Sequence, residues 1–580
     1  MNISKVIIDN IKGLHHFELS QPLLPNRPNI LVAPNGFGKS SLAAAFLSVR
    51  DGKISLNSED YYMGLSTNVP RVELQMTDGN NLVADSNSNT IIQHFSVHVV
   101  NNQLIPTAIG QHFKGITVSK ATLNIRPTVV IDKIPKKFLF GYTLSQMKRL
   151  FGNNNKVLQD ISSVYANVSN IYLIERGLNM HIFDLQPYNK SISKVIDVIN
   201  KMPKQTTANK IKNIVSTNNL FNLGIAEFTT LCGRLKSVLG YNDDIDAFLS
   251  GWQYIKVRQK MKGDFKKAVD YGKYLRQKVE VDFTIDHLNP VKNRFPIYSV
   301  EHKGKLIVNW PEANKISNGE RDIMVFIAKL LECEYNSPKN CILVIDEFFD
   351  YLDDANLVVF QYYVSTLIDK FKKDKRLIFP ILLTHLDPNY LKHFCFNDKR
   401  LNVCYLKETN AKISPKMIKL VKNRENTLIK DNLDLYYFHY NPNGDGISLS
   451  SEFESLGLNK DWGTPAAFRK KIDRQIRTYC LQPNDKFDPL SVCFSVRIRI
   501  EELVYKLLPA SEQNDYISTH GTTDKLKYAQ DKGVSIPETF YLLGLIYNHP
   551  LHDADEDMSR PIGMKLDNPI IRKMIKQLWD

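Results

Sequence analysis

The stretch "ILVAPNGFGKSSLAAAF", Ile30 to Phe46, decides the fold class. Ile30, Leu31 and Val32 make the short apolar run that a strand buried in a parallel sheet requires. Asn35, Gly36, Phe37 and Gly38 follow as a turn, and Lys39 opens a helix. The loop fits the pattern G-x-x-x-x-G-K-[ST] at every position but one: Ala33 stands in place of the first glycine. Alanine costs little there if its φ is negative, because only a positive φ demands glycine. In such a loop, backbone N–H groups and the positive end of the helix converge on a phosphate chain. Lys39 would reach the β- and γ-phosphates and Ser40 would sit on Mg²⁺, with Asn35, Gly36, Gly38 and Ser41 in the same cradle. ATP and Mg²⁺ are the cofactors this predicts. The competing reading is a glycine-bearing strand–helix turn with a chance lysine.

Two later strands bear on the choice. "CILVIDEFFDYLD" runs from Cys341 to Asp353, and its apolar residues Cys341 to Ile345 end in Asp346-Glu347. A strand ending in two carboxylates supplies a Mg²⁺ ligand, Asp346, and a group to polarise the attacking water, Glu347. "ILLTHLD", Ile381 to Asp387, is another buried strand, and it delivers His385 toward a γ-phosphate. A single histidine after a strand is usually structural; following the loop and the paired carboxylates, it becomes a candidate catalytic group.

A fourth element narrows the family. In "KISNGERDIMVFIAKLL", Lys315 to Leu331, Ser317 and Gly319 precede a helix whose Ile323, Phe326, Ile327 and Leu330 recur at helical spacing. The segment Ile316-Ser317-Asn318-Gly319-Glu320 resembles the signature motif of ABC-type ATPases, and Asp350-Tyr351-Leu352-Asp353 resembles their D-loop, with Asp353 as its acidic residue. Loop, signature, carboxylate pair, D-loop and histidine stand in the ABC order. The opening "MNISKVIIDNIKGLHHFELS" alternates as a hairpin, with a turn near Lys12-Gly13. A hairpin followed at once by the nucleotide loop resembles the SMC, RecF and OLD-like ATPases, whose head is split by a long insertion. That resemblance implies a Q-loop within "VHVVNNQLIP", Val97 to Pro106, with Gln103 as metal and water contact and Asn102 as the alternative. It also implies a homodimer, or a higher oligomer, in which two ATPs are sandwiched between heads. Lys39 and Ser40 would come from one chain, Ser317 and Gly319 from the other.

The 580 residues carry 75 Lys+Arg against 61 Asp+Glu, a formal net charge of +14. The length predicts more than one domain. The positive balance favours a polyanionic partner such as nucleic acid, although a solvated basic face explains it nearly as well. No run of about 18 apolar residues exists, which predicts no membrane partner. The N-terminus shows no cleavable signal pattern. Seven cysteines without a C-x-x-C pair read as reduced thiols, and the expected location is the cytoplasm.

The expected architecture is α/β: an ABC-type P-loop ATPase head split by a helical insertion, followed by a mainly α-helical C-terminal domain. The expected boundaries are 1–130 and 285–420 for the two parts of the head, 131–284 for the insertion and 421–580 for the C-terminal domain. Within the insertion, "FGYTLSQMKRLF" and "AEFTTLCGRLKSVL" show helical spacing, and proline and glycine breaks exclude a long coiled coil. The basic stretch Lys256 to Lys278 is a candidate nucleic-acid face or, equally, a solvated helix.

The C-terminal region contains "DPLSVCFSVRIRIEELVYKLL", Asp488 to Leu508, and "IPETFYLLGLIYNHPLHD", Ile536 to Asp553. Arg497 and Glu501 fall at i and i+4 on one helix face, and the second helix ends in Asn548, His549 and His552. This loosely resembles HEPN-type ribonucleases, in particular the Arg–Glu–His site of ATPase-linked anticodon nucleases. It makes Arg497, Glu501 and His552 candidate nuclease residues, with His549 as the alternate histidine. The usual HEPN arginine shortly before the histidine is missing, since no Arg lies between Thr539 and His552. An Arg497–Glu501 pair is also a common exposed helix salt bridge. The other reading is a helical docking domain, and that layout resembles ATPase subunits of Septu-type antiphage systems, which implies a separate partner nuclease. The function expected is therefore a defence ATPase that senses a nucleic-acid or phage trigger and gates a nuclease. The rival class is a DNA-repair or recombination ATPase acting on DNA ends.

Overall fold

The computed structural model describes residues 2–101, 104–113, 116–149, 155–289, 295–386, 401–407, 409–482, 484–552 and 558–580. Its strands are β1 (Ile3–Ile11), β2 (Leu14–Leu19), β3 (Asn29–Val32), β4 (Arg71–Met76), β5 (Asn81–Asp85), β6 (Phe95–Val100) and β7 (Leu104–Phe113). They continue as β8 (Ile116–Ile125), β9 (Thr128–Ile131), β10 (Tyr298–His302), β11 (Lys305–Asn309), β12 (Asn340–Asp346), β13 (Ile378–Thr384) and β14 (Asn402–Tyr405). The chain is mixed α/β with a helical C-terminal region. It divides into two units, one built from 1–16, 23–27 and 43–380, the other from 17–22, 28–42 and 381–580.

In the first unit β1 pairs antiparallel with β4, and β4 with β5. The alternation seen in the N-terminal sequence holds only over Val6 and Ile8; Ile3 and Ile11, the other buried residues, stand three positions away, and the register shifts between Ile3 and Lys5. The parallel pair β6 and β12 sets Val97 beside Ile342 and Val99 beside Val344. Cys341 to Ile345 are all buried, the mark of a strand covered on both faces. Helices between Leu144 and Leu288, where the insertion was expected, pack around a core that includes Tyr165, Ile171, Phe228 and Trp252. "AEFTTLCGRLKSVL" is one helix, Ala226–Leu239, closed by Gly240 in the left-handed conformation at φ +69°. Of "FGYTLSQMKRLF", the described part Phe140 to Arg149 is helical only over Leu144–Lys148, and its last two residues lie outside the described residues. The basic stretch Lys256 to Lys278 is broken at Met261, where one helix ends at Lys260 and the next, Lys262–Leu288, begins. Among the described residues, four of its nine cations meet acids: Arg258 pairs with Glu175, Lys262 with Asp184, Lys267 with Asp264 and Lys278 with Asp282.

In the second unit β3 lies between β13 and β14, all parallel, with Leu31 opposite Leu383 and Cys404. The rest is helical. Helices Pro465–Leu481, Pro489–Leu507 and Glu538–His552 share one apolar core containing Phe468, Phe494, Val504 and Leu543. No helix among the described residues is long and apolar enough to cross a membrane.

Candidate functional site

The glycine-bearing loop leaves β3 at Val32 and enters the helix Lys39–Ser48. Gly36 and Gly38 have φ of +81° and +91°, the left-handed region that a Cβ disfavours. Ala33 is not among the positive-φ residues, so the departure from the glycine pattern carries no backbone cost, and its N–H donates to Thr384 O at 3.0 Å. The Lys39 side chain is buried and folds back on its own loop. Its Nζ donates to Ala33 O at 2.8 Å, Pro34 O at 3.1 Å and Asn35 Oδ1 at 3.3 Å. Ser40 is exposed beside it, and Ser41 is buried. His385 follows β13 directly, and with Asn35 it lines a cavity of about 530 Å³ whose walls also carry Tyr405, Lys407 and Lys565. Those last three residues were not legible as site residues, because they come from β14, the segment after it and a C-terminal helix.

The other motif residues lie in the first unit. Asp346 ends β12, and Glu347 follows with φ +49°, an uncommon conformation for a residue other than glycine, asparagine or aspartate. Such strain persists only where the surroundings impose it and is concentrated at functional sites. Ser317 occupies the N-cap position of the helix Asn318–Tyr335, and its Oγ donates to Glu320 Oε2 at 2.6 Å. At Gly319 an added Cβ would meet only the Asn356 amide at 3.5 Å, an ordinary contact. Asp353 caps the helix Asp354–Lys373, its Oδ1 accepting from Asn356 N at 2.8 Å. Gln103 and its alternative Asn102 lie outside the described residues.

The C-terminal candidates differ from their expected form. Arg497 and Glu501 are not an exposed pair; both are buried, because their helix is covered along most of its length. They form an ion pair at 3.8 Å that a hydroxyl bridges. Arg497 Nε donates to Thr522 Oγ1 at 2.8 Å, and Thr522 Oγ1 donates to Glu501 Oε1 at 2.6 Å. Glu501 also accepts from His439 Nδ1 at 2.7 Å, Tyr440 N at 2.8 Å and Lys525 Nζ at 3.2 Å. Burial pushes its pKa up, but His439 and Lys525 outweigh that and hold the carboxyl well below the usual range. Burial lowers the pKa of His439, with Glu501 opposing. As a neutral ring donating from Nδ1, it accepts from Arg497 Nη2 at its Nε2, 3.1 Å away.

His552 touches neither Arg497 nor Glu501. It is exposed, and its Nδ1 accepts from Arg424 Nη1 at 2.8 Å. Arg424 in turn donates to Asp434 at 2.9 Å, and His520 Nδ1 lies 3.2 Å from the other Asp434 oxygen. Burial and then Arg424 lower the His552 pKa. His549 is exposed and stands apart from this network. Arg424, Asp434, His439, Thr522 and Lys525 were missed in the sequence because they are scattered over about a hundred residues with no common spacing.

No family model matches the chain, and no curated protein matches it. Among solved structures it is similar to the Smc head domain of Pyrococcus furiosus bound to the C-terminal domain of ScpA, at 15% identity over 67% of this chain and 90% of that one, with a TM-score of 0.24. It is also similar to the recombination mediator RecF bound to ATP, at 12% identity over 66% and 92%, with a TM-score of 0.25. TM-scores this low establish no shared arrangement of the whole chain, and the motif residues themselves carry the functional reading.

Proposed function

We propose that this chain is an ABC-type ATPase of the SMC/RecF/OLD-like group, acting in bacterial antiphage defence as a nucleotide-controlled switch that gates a nuclease partner. The supporting observation is the loop: two left-handed glycines, a helix N-terminus and a buried lysine held at that turn, followed in sequence by the signature, carboxylate-pair and histidine motifs. These residues suit a nucleoside triphosphate. Gly36, Gly38 and Lys39 would hold its phosphates, and Ser40 and Asp346 the Mg²⁺, which neutralises phosphate charge when bound. Lys39 would exchange its carbonyl partners for phosphate oxygens. Glu347 would orient the attacking water and accept its proton. Ser317 and Gly319 would serve the nucleotide of a second copy, so that the ATP state is a head-to-head dimer and hydrolysis resets it.

Glu347→Gln is expected to keep ATP binding, lose about 10²–10⁴ in hydrolysis rate and accumulate the ATP-bound dimer. Lys39→Ala should lose nucleotide binding, and Ser317→Arg should prevent dimerisation. Fluorescent-nucleotide titration, phosphate release and light scattering read the three quantities. Wild-type hydrolysis by Glu347→Gln, or full activity from a monomer, would overturn the assignment. The defence role is tested by purifying the protein with its co-expressed genomic neighbours: a nuclease that co-purifies supports gating, whereas ATPase stimulated by DNA ends with no partner supports a repair role.

A second reading, an intrinsic ribonuclease, is favoured by one observation. Arg424 donates to the Nδ1 of His552, an exposed histidine whose pKa is lowered by burial and by Arg424, and a ring held in one tautomer can exchange a proton at its other nitrogen. His552→Ala, at an exposed position, should abolish RNA cleavage and toxicity with ATPase intact if this reading holds. A purified single chain that cleaves no RNA excludes it.

A further inference from the structure

The second unit carries a concave cationic track outside the nucleotide motifs and outside the Arg497–Glu501 network. One cavity, about 1150 Å³, runs along the helix Pro465–Leu481, where Lys470, Arg474 and Arg477 are exposed. Their i, i+4, i+7 spacing places them on one face over about 10 Å. A second cavity, about 670 Å³, adjoins it at Lys486, which lines both, and adds Arg560 and Arg572. The second cavity in turn shares Lys407, Asp567 and Pro569 with the one at Asn35 and His385. Asp473, Asp485 and Asp567 also face the track, so cations outnumber acids along it.

The distinctive feature is lack of internal neutralisation. Among the described residues, Lys470, Arg474, Arg477, Lys486 and Arg560 make no ion pair, although Asp473 faces Arg477 from the same helix; at the far end Arg572 and Lys407 both pair with Asp567, at 3.7 and 3.3 Å. The basic insertion helices offer the contrast, since Arg258, Lys262, Lys267 and Lys278 there are each paired with an acid. Unpaired like charges held in one concavity repel one another and concentrate anions. A line of cations that passes from one cleft into the next suits a flexible chain, which can follow the turn between clefts at Lys486.

We propose that this track binds the phosphate backbone of a single-stranded nucleic acid, whichever partner or activity the ATPase controls. The test uses the full-length protein and fluorescent 20-nucleotide oligo-dT and oligo-U, titrated across a salt series, with a 20-base-pair duplex and polyglutamate as competitors. The wild type is expected to bind single strands more tightly than either competitor. The triple variant Lys470→Glu, Arg474→Glu, Arg477→Glu should weaken binding at least tenfold. It should also reduce the slope of log K against log salt by about 2, since each lost phosphate contact on a single strand removes about 0.7. Reversal of Lys262, Lys267 and Lys278 should change neither quantity. The three track residues are exposed, so the melting temperature is expected to be unchanged. If it falls, the corresponding triple glutamine variant reads the same slope. No single-strand binding by the wild type, preference for the duplex or polyglutamate, or an unchanged salt slope in the variant would overturn the proposal.

Discussion

Two buried cations show two ways of building a site. Lys39 has three hydrogen-bond partners in its own turn: Ala33, Pro34 and Asn35 lie at most six residues away. Arg497 takes His439 from 58 residues upstream and Thr522 from 25 downstream, and the Glu501 beside it is satisfied from four places in the chain. The first arrangement depends on backbone geometry set by two glycines. The second exists only when the helical core has closed around it. A local loop should therefore tolerate loss of its lysine with little effect on stability, whereas a distributed network should not tolerate loss of its acid.

The sharpest way to break that comparison is to remove one group from each. Glu501→Gln leaves His439, Thr522 and Lys525 buried around an amide, and the expected loss is about 3–5 kcal/mol, as for breaking a buried ion pair. Lys39→Ala removes hydrogen bonds to loop carbonyls and should cost only about 1 kcal/mol, despite abolishing nucleotide binding. Chemical denaturation of both variants decides, and equal losses would refute the distinction between local and distributed construction.

A histidine provides the next test. His98 is buried in β6 with Ser337 Oγ at 3.0 Å from its Nε2, and burial lowers its pKa from 6.5 to about 4. Its burial is not opposed by a carboxylate in contact, as that of His439 is by Glu501. Above pH 6.5 His98 is neutral folded and unfolded, so its contribution is fully present. As pH falls from 6.5 toward 4 the unfolded chain takes up the proton first, and stability drops by up to about 3 kcal/mol, at 1.36 per unit. Melting curves of the wild type and His98→Gln between pH 7.5 and 4.5 should converge in slope only if this histidine is not responsible.

The smallest effect concerns Asp353. Its carboxylate caps the helix Asp354–Lys373, so Asp353→Ala should cost about 1 kcal/mol in stability. Asp353→Asn should restore the cap. A variant rescued in stability but still defective in dimerisation would separate the D-loop role from the capping role, and a defect rescued in both would leave capping alone.

Elements built from contiguous residues were legible before folding was known. The apolar runs Ile30–Val32 and Cys341–Ile345 became buried parallel strands, the N-terminal alternation became β1 and β2, and the tolerance for alanine at 33 was readable from which turn position needs a positive φ. These are local: side-chain period and backbone sterics act within a few residues. Packing alone set the rest: Arg497 and Glu501 are buried and bridged by Thr522, His439 rather than His552 contacts them, and Lys262 and Lys278 of the insertion meet acids while Lys470 of Pro465–Leu481 is exposed and makes no ion pair. An i, i+4 spacing looks the same on an exposed helix and on a buried one. Which acids reach which bases depends on packing between segments far apart in the chain, and packing is what sets both the charge left over at a surface and the charge sealed within a core.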